Sequence, residues 1–162
     1  MKDAKLQIYL NDHLAGAIGG SELAKRAQRN NAGTPVGEFL LEFMEEVEED
    51  KAALKQFIAL AGCRENPLKK TGAWVTEKAG RLKLNGELRK YSDLSRLEEL
   101  EGLLLGVRGK LGMWLVLEDV YGKDNRFKEV GFRPLINRAR RQQKRMEDLR
   151  MAAAQEVFRK AA

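Results

Sequence analysis

Asp50, Glu46 and His13 are the side chains of this sequence best suited to doing chemistry together. Asp50 falls in the middle of an apolar stripe between Val47 and Leu54, Glu46 stands one helical turn before it, and His13 is the sole histidine. A carboxylate at an apolar position must be ion-paired, hydrogen-bonded or neutralised. Two carboxylates and an imidazole are also donors that hold a metal ion. Three readings stay open. His13, Glu46 and Asp50 build a single-metal or small-ligand site. Alternatively, Asp50 belongs to a polar core network, the vestige of such a site, in which His13 or Arg150 supplies its hydrogen bonds and Gln143 and Glu147 lie nearby. In the third reading Asp50 sits at the core's edge and reaches solvent.

Other chemistry has little support. Neither Cys63 nor any serine stands in a nucleophile motif, and one histidine would have to serve every proton transfer. Gly16-Ala17-Ile18-Gly19-Gly20 lacks the Lys-Ser/Thr that completes a phosphate loop, and no strand pattern precedes it. No catalytic residue and no cofactor are expected, and the sequence points away from an enzyme.

The elements that must position these residues are helical. Ala, Leu, Glu, Lys and Arg dominate, and only 3 prolines interrupt them. Punctuation marks a first helix over 5–29, ending in Asn30-Asn31-Ala32-Gly33, and a second over 35–61, opened by Thr34-Pro35 and closed by Gly62. A crossover segment with its own helix occupies 67–91. A third helix spans 93–121, opened by Ser92 or Ser95, with Ser95 and Glu98 as a capping box, and a fourth spans 132–159. The second helix carries Val36, Leu40, Phe43, Val47, Leu54 and Phe57 on one stripe, with acids on its far side.

The third helix differs from its neighbours. Leu97, Leu100, Leu104, Val107, Leu111 and Trp114 form one apolar stripe, while Gly102, Gly106, Gly109 and Gly112 lie opposite with Leu105, Met113 and Val116. A helix apolar on both sides is expected to be buried on both sides. Glycine inside a helix costs about 1 kcal/mol relative to alanine, so close backbone approach by another helix is the expected compensation. The first helix has a matching patch in Gly16, Gly19 and Gly20. The two patches pack on each other, or either one packs across a dimer axis.

Short loops make the first and second helices antiparallel neighbours, and likewise the third and fourth. The long connection between second and third is enough to bring the third back parallel to the second. Two such hairpins joined by a crossover resemble the ferritin-like superfamily, and the fold class expected is an all-α, ferritin-like four-helix bundle in one domain. That family holds two metals with a Glu on each of two helices and Glu-x-x-His on the other two. Here the only histidine is on the first helix, and the fourth offers Arg140, Arg141, Gln142, Gln143 and Glu147 where Glu-x-x-His would be needed. The resemblance therefore implies a degenerate branch without a standard di-metal centre.

The net charge of +6 favours acidic partners: nucleic acid, an anionic membrane surface or an acidic protein face. Arg138, Arg140, Arg141, Lys144 and Arg145 form a basic patch with no intervening acid. The acidic second helix offers an internal or intermolecular counterpart to it. A second copy of the chain or another protein is the expected partner. Nucleic acid is a further candidate, although no helix-turn-helix, zinc-finger or RNA-recognition signature accompanies the charge. No apolar run approaches the roughly 20 residues of a transmembrane helix, and the single cysteine fits a reducing cytoplasm.

Overall fold

The computed structural model describes residues 3–66 and 91–159; the expected crossover, 67–91, lies outside them except for Tyr91. Among the described residues the chain is helical throughout. Four long helices, α1 (Ala4–Asn30), α2 (Pro35–Leu60), α3 (Asp93–Tyr121) and α4 (Phe132–Arg159), pack together, with a 3-10 helix at Asn125–Val130 before α4.

Each start has a local cause. Asp3 accepts hydrogen bonds from the backbone N–H groups of Lys5 and Leu6 at 3.0 and 3.2 Å, satisfying donors that α1 leaves without partners. Thr34 does the same for Gly37 at 3.2 Å, with Pro35 in the first turn. Ser92, not Ser95, caps α3, and its box partner is Ser95 rather than Glu98. The small hydroxyl of Ser95 reaches back to the cap, leaving Glu98 outside the box. Gly131 adopts φ 65° between the 3-10 helix and α4, a left-handed turn that glycine makes without Cβ strain.

Contacts set the order of the helices. Ala24 and Ala27 share a core cluster with Val36, Phe39 and Leu40, while Leu10 and Leu14 share another with Leu54, Phe57 and Ile58, so α1 and α2 are antiparallel. Arg26 meets Glu99 near one end and Leu14 clusters with Trp114 near the other, making α1 and α3 antiparallel. Phe57 packs on Phe132 while Glu46 meets Gln142, so α2 and α4 are antiparallel. Arg150 pairs with Glu101, and Trp114 packs on Phe132, giving the same relation between α3 and α4. It follows that α2 and α3 run in the same direction across the bundle.

Two polar clamps hold the described ends of the intervening chain. Asn11 donates to the carbonyls of Gln7 and Arg64 and accepts from the Asn66 N–H at 2.6 Å, and Gln7 accepts from the Arg64 N–H at 3.0 Å. At the other end Asn31 donates to the Tyr91 hydroxyl at 2.6 Å. Asn11 and Asn31 are separated by about 30 Å of helix rise, so Asn66 and Tyr91 stand at opposite ends of α1.

The core is divided. One cluster unites Ala24, Leu40, Val47, Leu104, Val107 and Met146; the other unites Leu14, Leu54, Phe57, Met113, Trp114 and Ile136. Between Val47 and Leu54, between Val107 and Met113, and between Ile136 and Met146, each helix passes through a polar layer at mid-height. No helix among the described residues is long and apolar enough to cross a membrane.

Candidate functional site

The polar layer is built around Asp50, which is 3% exposed. Its Oδ2 accepts from Lys110 Nζ of α3, and its Oδ1 accepts from Arg138 of α4 at 3.0 Å. Lys110 also donates to Gln142 Oε1 at 2.6 Å, and Gln142 donates to Glu46 Oε2 at 2.7 Å. Arg138 reaches back to the Glu46 carbonyl at 3.2 Å and to the Glu49 carboxylate at 2.5 Å. Three helices thus supply one continuous network of charge-assisted hydrogen bonds, the strong kind. Both oxygens of Asp50 face cations provided by the chain itself.

Lys110 reaches this layer along its own apolar stem. Its ammonium sits 5.8 Å from the Phe43 ring centroid, and the side chain is 14% exposed. Burial pushes the ammonium below its ordinary range, and the charge and hydrogen bond of Asp50 work against that shift. A long cationic side chain threaded over apolar neighbours is ordinary behaviour for lysine. What is unusual is that its head ends inside.

Of the residues expected here, the structure brings together Glu46 and Asp50 and disperses the rest. His13 is half-buried, stacked edge-on against Tyr9 at 4.6 Å between centroids, because Leu10 and Leu14 take the core-facing positions of α1. Burial lowers its imidazole below the ordinary value, and neighbouring Asp12 opposes that shift. Gln143 is displaced from the network by Gln142, which is 2% exposed; Gln143 faces outward beside Arg140 and Lys144. Glu147 and Arg150 pair with each other at 2.7 Å at the rim of α3 and α4, where Arg108 and Glu101 join them. Among the described residues no three His, Cys, Asp or Glu side chains converge.

Lys110 and Arg138 are the residues that the sequence reading misses, although a signal exists. Lys110 follows Val107 by three residues and precedes Trp114 by four; Arg138 and Gln142 fall between Leu135 and Met146 with the same steps. Each occupies a stripe position, which puts it on the buried face. Arg138 accordingly leaves the basic patch in which it was expected.

A second polar cluster closes the far end of the bundle. Glu99, 4% exposed, accepts from Arg26 at 2.8 Å and from the Tyr91 hydroxyl at 3.0 Å, while Asn31 accepts from Arg96 at 2.7 Å. Burial, the largest effect, pushes the Tyr91 phenol up to about 12; Glu99 adds to the shift and the hydrogen bond from Asn31 opposes it.

The glycines of α3 behave differently from the expectation. Only Gly102 is approached closely: a Cβ there would meet a Leu23 methyl at 3.2 Å. A Cβ at Gly106, Gly109 or Gly112 would meet nothing within 4 Å, nor would one at Gly16 or Gly20, whereas Gly19 is buried. Met113, expected on the same face, is in the core at 3% exposure. The rest of that face is open among the described residues, because α1 and α4 pack on the side that carries Leu103, Leu104 and Met113. Leu105, Val116 and Val120 stand on it at 63, 49 and 62% exposure.

The remaining basic residues line the outer face of α4. Arg133, Arg140, Arg141, Lys144 and Arg145 are all exposed, with Arg141 reaching Glu46 at 3.7 Å and Lys144 reaching Asp148 at 3.3 Å. No protein-family model, curated protein or solved structure matches this chain.

Proposed function

We propose that this chain is a non-enzymatic helical bundle of ferritin-like arrangement that acts by pairing with a second copy through the outward face of α3. The observation that carries the reading is the open stripe Leu105, Gly109, Gly112, Val116 and Val120, apolar along one side of a helix whose other side is already in the core. Among the described residues these three aliphatic side chains stay exposed, and the glycines, which cost helix stability, meet no neighbour. A two-fold axis at Gly112 gives them a use. It sets position 105 opposite position 119, so Leu105 enters between Val116 and Val120 of the second copy, and the backbones approach at Gly109 and Gly112. On the flank it brings Arg108, 52% exposed, beside the exposed Asp119 of the second copy.

The ferritin-like part rests on the parallel course of α2 and α3 and on a polar layer at mid-height, where that family holds its metals. In this chain Lys110 and Arg138 occupy the layer as fixed cations, so the centre is a structural core and the protein's work falls to its surface.

Light scattering tests the pairing. The full chain is expected to be a dimer at micromolar concentration. Leu105→Lys is expected to be a monomer with an unchanged helical spectrum, because the side chain it replaces is exposed in one copy. A monomeric wild-type chain, or a dimer indifferent to Leu105→Lys, would overturn the reading.

A further inference from the structure

Arg26, Arg96, Arg108, Arg126, Arg138 and Arg150 have carboxylate partners; Arg133 and Arg140, at the junction of α3 and α4, have none among the described residues. Lys123, Arg133 and Arg140 line one shallow groove together with Asn137, and Glu118 is the one acid on its wall. None of the three cations forms an ion pair among the described residues, and neither does Arg145 further along. From Arg133 to Arg145 the helix rises about 18 Å, with Arg140, Arg141 and Lys144 between them. Arg141 is 67% and Lys144 80% exposed, so their long contacts to Glu46 and Asp148 tie up little of their charge. At the far end of the row Glu147 and Asp148 stop the run of positive charge.

We infer that this row is a docking surface for the phosphate backbone of a nucleic-acid duplex, with Lys123, Arg133, Arg140 and Lys144 as its phosphate contacts. The layout decides between anions. A single phosphate is held by donors that converge on one point, whereas these cations are strung along a helix, as a linear polyanion requires. A lipid surface would also call for apolar side chains among the cations, to enter below the headgroups. The exposed apolar residues of α4, Met151 and Phe158, lie beyond the row. Backbone contacts alone carry no sequence preference, so the binding is general. It draws on α4 and on Lys123 just beyond the end of α3, not on the Leu105–Val120 stripe, and does not depend on how copies pair.

The test is fluorescence anisotropy of a labelled random duplex with the full chain, titrated between about 50 and 200 mM salt, the range over which phosphate contacts lose orders of magnitude in affinity. Affinity is expected to fall with log salt at a slope near −3 to −4, about −0.9 for each phosphate contacted. Arg133→Glu/Arg140→Glu/Lys144→Glu is expected to bind at least tenfold more weakly and with a flatter slope. Lys5→Glu/Arg29→Glu/Lys55→Glu makes the same change in net charge at exposed sites elsewhere and is expected to bind like wild type. Equal loss in both variants would mean only a general charge effect and would overturn the assignment. So would full affinity in the α4 variant, which would move binding to the basic residues of 67–90. Binding to phosphatidylserine vesicles without binding to the duplex, or competition by polyglutamate as strong per charge as by DNA, would replace nucleic acid with another partner.

Discussion

Asp50 and Lys110 belong to the two helices that run parallel across the bundle, and their side chains meet at its centre. The pair completes a layer that separates two apolar clusters, each of which is continuous on its own side. A buried pair need not stabilise the fold relative to apolar residues, because both charges lose their hydration. Removing one partner is another matter. Lys110→Met is expected to cost about 3 kcal/mol in urea unfolding, since it leaves Asp50 buried with Arg138 alone and strips Gln142 Oε1 of its donor. Asp50→Leu/Lys110→Met is expected to recover most of that loss. A double variant less stable than either single one would mean that the layer contributes net stability and not only specificity.

The glycines separate three environments that one substitution distinguishes. Gly106→Ala is expected to stabilise a single copy by up to about 1 kcal/mol, since alanine is the better helix former and nothing stands within 4 Å of its Cβ. Gly102→Ala is expected to gain less, because Leu23 must shift from 3.2 Å. Gly37→Ala is expected to be strongly destabilising: its Cβ would fall 2.1 Å from the Asn31 carbonyl oxygen, where the loop between α1 and α2 folds back on the first turn of α2. Thermal melts of the three variants check the order, which equal effects would contradict.

Helices are legible here because their ends carry side-chain chemistry: Thr34-Pro35 opens α2, and a serine opens α3, although its box partner is Ser95 and not the expected Glu98. Asp50 is legible too, as a charge in an apolar stripe. Its partners are harder to read: Lys110 and Arg138 occupy stripe positions, but a long cation there can also carry its head out to solvent, and only the placed helices decide that both turn inward. Periodicity locates a face but does not say whether the face is covered. On α2 the stripe through Leu40 and Val47 is core; on α3 the stripe through Leu105 and Val116 is open. The stripe signal that marks Gln142 marks Gln143 as well, since one stands three and four residues from Ala139 and Met146 and the other four and three, so a small rotation about α4 decides which enters the network. Gly37 gives no warning at all, because its neighbour Asn31 comes from the preceding loop.

His13 is half-buried, and its pKa is lowered chiefly by desolvation, with Asp12 opposing. With the folded value below the unfolded one, the unfolded chain binds more protons between the two, so stability rises with pH there. Acidification from pH 7 through the ordinary histidine range should therefore destabilise the protein, with the full cost reached below the folded pKa. His13→Gln is expected to flatten this part of the profile while leaving the loss at lower pH, where carboxylates protonate. Chemical denaturation at a series of pH values measures it; an identical slope in the variant would exclude His13 as the source.

Tyr91 gives the opposite sign at the alkaline end. Its phenol, pushed up to about 12 mainly by burial, donates to Glu99 at 3.0 Å and accepts from Asn31 at 2.6 Å. The hydrogen on that oxygen is what the buried carboxylate requires. Ionisation would set a phenolate against Glu99, with Arg26 on the carboxylate and the charge of Arg96 nearby to answer them. Since the folded pKa lies above the unfolded value near 10, this contribution to stability is whole below pH 10 and is lost as pH rises towards 12. Absorbance of phenolate during alkaline titration is expected to show one of the 3 tyrosines ionising near pH 12, and Tyr91→Phe to abolish that late step. Among the described residues the same substitution leaves Glu99 with Arg26 as its direct partner and removes the hydrogen bond between position 91 and Asn31. It is therefore expected to cost about 1–3 kcal/mol at neutral pH, as for a buried acceptor deprived of a donor. A late step that persists in Tyr91→Phe would exclude Tyr91 as its source and leave the Glu99 cluster without its titrating member.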